Sequence, residues 1–191
     1  MRLLMLMADG LEECEALMTR DILIRGGVEV VMASINNKPY VIGQYKLTIN
    51  VNQVGVDNYK DFDGMILPGG GLGTKNLDEY IRMDELLSYY FKNNKLVAAI
   101  CAAPSVISNH GYLDGYNFVS YADMNLKGSF KEGECVMRDR NVITGKNVLH
   151  SAEFAFMMIE YGKEKGLLDT NPYDLKDRIE DHRVVIYNPY K

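Results

Sequence analysis

The stretch LVAAICAAPSVI, residues 96–107, places a single thiol where an apolar run ends. Small residues flank Cys101, with Ala99 and Ala103 two positions to either side, and a sharp strand-to-helix turn needs such residues because the backbone doubles back there. Pro104 suits the first turn of a helix, whose dipole and free N–H groups would favour a thiolate. The pattern predicts either a nucleophile on an elbow or a core cysteine that ends a buried strand.

Two other segments carry groups that could serve such a thiol. PGGGLGT at 68–74 lacks the spacing of the common nucleotide loops, but its backbone N–H groups could hold a developing oxyanion; the alternative is a plain glycine turn. ADGLEECEA at 8–16 holds Glu12, Glu13 and Glu15 near a helix start, where the dipole favours acids. Glu12 and Glu15 could share a face, and partial desolvation there would raise a carboxyl pKa towards neutrality.

The remaining cysteines and the histidines give weaker signals. Cys14 in a predicted helix and Cys135 in a predicted strand are expected to pack, as free cysteines commonly do. His110 precedes a glycine at a predicted helix end, which favours a capping or surface role. His150 precedes a helix, either as a cap-region residue or as part of a pocket rim. No histidine is adjacent to the elbow thiol in the sequence.

Short apolar runs alternate with amphipathic segments along the chain. Strands are predicted at 2–7, 28–34, 62–71 (running into the glycine turn), 96–100, 115–121, 134–144 and, as a short possibility, in the tail; helices are predicted at 11–25, 76–93, after the thiol as far as 110–111, and at 151–165; residues 38–54 suggest a hairpin. Alternating strands and helices predict an α/β fold whose parallel sheet is covered on both faces. Ligands bind outside the carboxyl ends of such strands, where the three loops lie.

Composition excludes several classes of protein. The length of 191 residues favours one domain over 1–191, and the formal charge of −5 argues against a nucleic-acid binder. No apolar run is long enough to span a bilayer, and the first residues read as a buried strand rather than a signal peptide. Three cysteines without close spacing favour reduced thiols in the cytoplasm, and no zinc-binding spacing occurs.

The three loops ADGLEECEA, ILPGGGLGTKNL and AAICAAPSVI, in this order and spacing, resemble the ThiJ/PfpI family, that of the parkinsonism-associated protein deglycase. This family belongs to the class I glutamine amidotransferase-like superfamily. The likeness includes the helix EFAFMMIE and runs from about residue 1 to 168. It implies a flavodoxin-like three-layer α/β sandwich with a mostly parallel sheet, a cysteine nucleophile elbow and usually a homodimer, without a metal or organic cofactor. The tail at 169–191 departs from the family pattern.

The resemblance also implies roles for four residues. Cys101 matches the family's elbow cysteine, and Glu15 matches the glutamate that hydrogen-bonds to it. Gly70 and Ala102 match the backbone donors of the oxyanion hole. A protonated Glu15 that donates to a Cys101 thiolate would stabilise the anion.

The chain also departs from the family at three positions. Ala102 stands where many relatives have a histidine, which argues against the protease-like branch. Tyr121 stands where the deglycase branch has a histidine, and its usual pKa near 10 makes it a poor base at neutral pH. Gly71 stands where an asparagine is frequent.

Two functions follow from these expectations. In the first, the chain is an enzyme of glyoxalase or protein deglycase type that acts on small reactive carbonyls, with Cys101 as nucleophile, Glu15 as proton donor and acceptor, and Tyr121 or His150 as auxiliary residues. In the second, it is a non-catalytic, redox-sensing or chaperone-like stress protein whose Cys101 is oxidised. Whether the chain is an enzyme stays open at the level of sequence.

Overall fold

Strands and helices alternate within residues 1–171, 174 and 175, which the computed structural model describes. The strands are β1 (Arg2–Met7), β2 (Glu29–Ser34), β3 (Tyr40–Ile42), β4 (Thr48–Asn50), β5 (Gln53–Val54), β6 (Gly64–Leu67), β7 (Leu96–Ile100), β8 (Asn117–Phe118), β9 (Ser129–Phe130), β10 (Val136–Asp139) and β11 (Val142–Gly145). The longer helices are α1 (Glu13–Arg25), α2 (Gly71–Asp78), α3 (Met83–Lys92), α4 (Pro104–Asn109) and α5 (Ser151–Glu164).

The central sheet has the strand order β10-β11-β7-β6-β1-β2-β5, and its neighbours are parallel except for the β10–β11 hairpin. Alternate residues of β1 enter two different cores. Leu3 and Met5 pack with residues of α1 and α5, whereas Leu4 and Leu6 pack with residues of α3. The predicted three-layer α/β sandwich is confirmed, and burial on both faces explains why β1 is a continuous apolar run.

The single helix predicted over 76–93 is wrong, because two helices occupy this region. Helix α2 begins at Gly71, and a turn closed by Met83 N–H and Tyr80 C=O separates it from α3. Leu77 and Met83 are both fully buried in one core. Six residues of a straight helix would place these side chains about 120° apart, so the break allows both to face the sheet.

Two strand predictions also need correction. The segment 134–144 is a hairpin rather than one strand, and it reverses at Arg140, whose φ is 55°. Of 115–121, only Asn117–Phe118 form a strand, which pairs with β9 outside the central sheet. The hairpin predicted within 38–54 is confirmed as the β3–β4 pair. The strand suggested for the tail lies outside the described residues.

Helix α1 and the β3–β4 hairpin are joined by Glu13, which accepts hydrogen bonds from the backbone N–H groups of Tyr45 and Leu47. Both elements carry exposed apolar side chains, namely Met18 on α1 and Tyr45 and Leu47 on the hairpin.

The homodimer implied by the resemblance stays a prediction. In the part of the chain that the structure describes, no helix is long and apolar enough to cross a membrane.

Candidate active site

Cys101 occupies a strained turn between β7 and α4. Its φ of 63° lies in the left-handed region, which costs a residue with a side chain roughly 1–3 kcal/mol. Neighbouring loops hold the turn in place: the Cys101 N–H donates to Gly145 O at 2.9 Å, and the Cys101 C=O accepts from the Tyr121 N–H at 3.0 Å. Pro104 opens α4, as the sequence predicts. The predicted elbow is therefore present, and its cysteine is partly exposed rather than part of the core.

Three acids within one turn of chain have three different environments. Glu12 is the N-cap of α1, where its carboxylate accepts the Glu15 N–H at 2.7 Å. Glu13 holds the hairpin through the Tyr45 N–H at 2.7 Å. Glu15 is only 2% exposed, and its carboxyl group hydrogen-bonds with the thiol of Cys101. Of the two acids that could share a face, the structure brings Glu15 to the thiol.

The glycine loop brings backbone donors to this pair. Gly69 N–H donates to Glu15 Oε2 at 3.1 Å, while the N–H groups of Gly70 and Ala102 hydrogen-bond with the sulfur of Cys101. A Cβ at Gly69 would lie 2.4 Å from Glu15 Oε2 and 2.7 Å from the Cβ of Cys101. The loop can approach so closely because this position has no side chain.

The electrostatics differ from the sequence-based expectation of a readily formed thiolate. Burial, opposed in part by the hydrogen bond with Cys101, raises the pKa of Glu15 from its usual 4.5 to about 7. Burial and the adjacent Glu15 carboxylate raise the pKa of Cys101 to about 12, against the pull of the Gly70 and Ala102 N–H groups. Between these two values the pair keeps one proton and one negative charge, which belong to both groups together.

The raised pKa of Glu15 predicts a loss of stability with rising pH. A carboxyl group whose pKa is higher in the folded than in the unfolded state stabilises the fold at low pH and loses that contribution as the pH rises through about 7. The free energy of unfolding is therefore expected to be about 2 kcal/mol lower at pH 8 than at pH 5 because of this group. Urea unfolding of the wild type and of Glu15→Gln at several pH values would measure the difference. An equal pH dependence in the two proteins would contradict the prediction.

Neither of the two predicted auxiliary side chains hydrogen-bonds with the pair. Tyr121 is 56% exposed and lines a cavity of about 310 Å³, and its backbone N–H donates to the Cys101 C=O. His150 is the N-cap of α5, with its Nδ1 4.0 Å from a carboxylate oxygen of Glu153. Among residues 1–171, 174 and 175, no histidine side chain hydrogen-bonds with Cys101 or Glu15.

Other expectations from the sequence have mixed outcomes. His110 lies at the end of α4, as predicted, with its Nε2 3.2 Å from Asp78 O. Cys14 is exposed on α1, contrary to the expectation that it packs, and Cys135 is half-buried.

Lys146, which directly follows β11 at the carboxyl edge of the sheet, is a candidate functional residue that sequence reasoning missed. The only available signal was its place two residues beyond the strand predicted over 134–144.

Comparison with known proteins gives one consistent result. A model of the DJ-1/PfpI family matches residues 1–161. The glutathione-independent glyoxalase DJR-1.2 of Caenorhabditis elegans is 34% identical over 163 residues, which cover 83% of this chain and 86% of the relative. The Parkinson disease protein 7 homolog of Danio rerio is 32% identical over 185 residues, 92% of this chain and 98% of the relative. The crystal structure of Drosophila melanogaster DJ-1beta superimposes with a TM-score of 0.85 at 30% identity, covering 94% of this chain and 97% of that chain.

Proposed function

The chain belongs to the DJ-1/PfpI family, and on that premise we propose that it is a cysteine-dependent enzyme that converts small reactive carbonyls into hydroxy acids. The observation that carries the proposal is the hydrogen bond between Glu15 and Cys101 beside the two backbone donors of Gly70 and Ala102. This arrangement offers a nucleophile, a proton carrier and an oxyanion site in one place. The relative named as a glyoxalase supports the choice of methylglyoxal as the test substrate.

The proposed reaction begins with the thiolate of Cys101. Its sulfur adds to the aldehyde carbon of methylglyoxal, and the π electrons of the carbonyl move to the oxygen. The N–H groups of Gly70 and Ala102, which hydrogen-bond with the sulfur in the free protein, stabilise that oxyanion in the proposed reaction. Glu15 then gives its proton to the oxygen, which leaves a hemithioacetal and a Glu15 carboxylate.

The proposed second stage moves a hydrogen between two carbons. The Glu15 carboxylate takes the proton from the former aldehyde carbon and returns it to the neighbouring carbon through an enediol, while the hydroxyl proton of the hemithioacetal passes to the former ketone oxygen. The product is a thioester between Cys101 and lactate. Water cleaves this thioester, releases lactate and restores the thiol, so that methylglyoxal and water give lactate without an external oxidant. A carboxyl pKa of about 7 suits both giving and taking a proton near neutral pH.

We place the shared proton on Glu15 in the reacting form. The sulfur receives two backbone N–H donors, from Gly70 and Ala102, whereas the carboxyl group receives one, from Gly69. More donors around the sulfur favour the negative charge there. The N–H groups of Gly70 and Ala102 stabilise the thiolate that begins the reaction. The negative sulfur in turn accepts the hydrogen bond from protonated Glu15.

The proposal predicts that the protein forms lactate from methylglyoxal in the absence of glutathione. Glu15→Gln keeps the size of the side chain but cannot carry the proton, so its rate is expected to be at least about 100-fold lower. Glu153→Gln, at an exposed position of α5, is the matched control and should retain the wild-type rate. Lactate is measured by chromatography over time. No lactate above the buffer background from the wild type would contradict the proposal.

One observation favours a redox-sensing protein as the second candidate. Within the described ranges, no histidine hydrogen-bonds with the pair, so no histidine base in contact with it assists turnover. The donors that would hold an oxyanion could equally hold the oxygens of an oxidised Cys101. A protein that forms no lactate but takes up oxygen selectively at Cys101 after peroxide treatment, seen by mass spectrometry, would have this second function.

A further inference from the structure

Lys146 lies beside the elbow on the neighbouring strand. In the parallel pair β7–β11, Ile100 is opposite Gly145, and the Cys101 N–H donates to Gly145 O at 2.9 Å. Cys101 and Lys146 directly follow this last pair of strand residues. Both residues therefore leave adjacent strands at the carboxyl edge of the sheet.

A cavity of about 310 Å³ adjoins this edge, and Lys146 lines it together with Tyr121, Phe130 and others. Backbone hydrogen bonds connect Cys101 with Tyr121, which lines the cavity, and with Gly145, which precedes the lining residue Lys146. Tyr121 donates its N–H to the Cys101 C=O, and Gly145, which precedes Lys146, accepts the Cys101 N–H. The cavity therefore adjoins the backbone of the elbow, although Cys101 itself does not line it.

The ammonium group of Lys146 has no anionic partner in the part of the chain that the structure describes. The residue is half-buried, yet no carboxylate oxygen lies within 4.0 Å of its Nζ. The other charged residues that line the cavity are Asp123 and Glu132, both of them at least partly exposed, and Asp123 accepts the Asn125 N–H at 3.1 Å. The two carboxylates of the lining lie on exposed residues, whereas Lys146 is half-buried without a paired carboxylate, so an anionic ligand suits the part of the cavity at Lys146.

We propose that Lys146 is a specificity residue that binds the oxyanion group, a carboxylate or a phosphate, of a small carbonyl compound whose aldehyde reacts at Cys101. The inference rests on the proposed function and deepens it by naming the substrate class. A carbonyl compound with a negative charge gains an ion pair in the cavity that neutral methylglyoxal lacks.

The test uses two alkylating reagents of similar size that differ in charge, negatively charged iodoacetate and neutral iodoacetamide. Mass spectrometry gives the rate of each reagent at Cys101, and the exposed Cys14 serves as internal reference. In Lys146→Met the ratio of the iodoacetate rate to the iodoacetamide rate at Cys101 is expected to fall about five-fold, because one nearby positive charge is lost. The ratio cancels any change in the thiol pKa, since both reagents need the same thiolate.

Two control variants accompany this test. Lys92→Met removes the same charge at the end of α3, shortly before β7 begins and so at the opposite edge of the sheet from Cys101, and it should leave the ratio unchanged. Lys146→Arg keeps the charge and should keep the ratio, which guards against a loss of folding in the methionine variant. An unchanged ratio in Lys146→Met would overturn the inference.

Protection of Cys101 distinguishes the two oxyanion classes. Lactate and inorganic phosphate are each added to the wild type during alkylation by iodoacetamide. Slower alkylation with lactate identifies a carboxylate site and slower alkylation with phosphate a phosphate site, and either protection should vanish in Lys146→Met. Protection by neither anion would overturn the substrate class.

The outcome is separable from that of the proposed function. Alkylation requires no turnover, so a shifted ratio in a protein that forms no lactate supports the anion site while the glyoxalase reaction fails. Lactate formation with an unshifted ratio supports the glyoxalase reaction and overturns the anion site.

Discussion

Replacing Cys101 with serine is expected to lower lactate formation from methylglyoxal at least about 1,000-fold. A serine hydroxyl remains protonated in a site built for a thiolate, so the first bond to the aldehyde carbon no longer forms. The substitution exchanges one atom and leaves the strained backbone at φ 63° occupied by a side chain of nearly the same shape. Initial rates of lactate formation, with circular dichroism to confirm folding, would measure the effect.

The two other cysteines of the chain provide matched controls. Cys14 is exposed on α1, and Cys135 precedes β10 and is half-buried. Cys14→Ser and Cys135→Ser should each retain the wild-type rate within about two-fold, since neither thiol belongs to the Cys101–Glu15 pair and the exchange of sulfur for oxygen there leaves the reacting groups unchanged. A Cys101→Ser protein that keeps its activity would show that the reaction does not pass through this thiol.

Replacing Gly70 with alanine is expected to cost about 3 kcal/mol of stability and at least about 100-fold in turnover. The φ of Gly70 is 95°, and an added Cβ would lie 2.5 Å from Gly10 O and 2.6 Å from Glu12 N. These neighbours are backbone atoms, so they cannot rotate away, and the loop must shift. A shifted loop takes the Gly70 N–H away from the sulfur of Cys101. Urea unfolding and the lactate assay measure the two effects separately.

The next residue offers a direct control for this prediction. A Cβ at Gly71 would meet nothing within 4 Å, and the residue opens α2. Gly71→Ala is expected to leave turnover unchanged and to stabilise the protein by up to about 1 kcal/mol, because alanine is a better helix former than glycine. Equal losses in Gly70→Ala and Gly71→Ala would refute the argument from close backbone contact.

Local sequence patterns were sufficient for the parts of the fold that depend on neighbouring residues. The apolar run of β1 identifies a strand buried on both faces, and the residues from Ala99 to Pro104 identify a tight strand-to-helix turn. The parallel topology then places the three loops at one edge, because the carboxyl ends of parallel strands lie together. These inferences use only periodicity and residue size, which are properties of short segments.

Patterns failed where contacts between distant segments decide the backbone. The break between α2 and α3 arises because Leu77 and Met83 must both enter one core, which the helical pattern of 76–93 does not reveal. The hairpin of β10 and β11 reverses at Arg140, whose residue type rarely adopts a positive φ, and the one turn signal beside it, Asn141, is too little to mark the reversal.

The sequence by itself therefore determined that a thiol lies on a turn at the carboxyl edge of a parallel sheet, with acids and glycines in the adjoining loops. Only the tertiary structure decided what surrounds that thiol. The residues alone left Glu12 and Glu15 as alternatives, the resemblance pointed to Glu15, and the packing of α1 against the glycine loop brings that carboxyl group to Cys101. The pKa directions of the pair and the position of Lys146 beside it also depend on burial and strand register, which arise when segments far apart in the sequence come together.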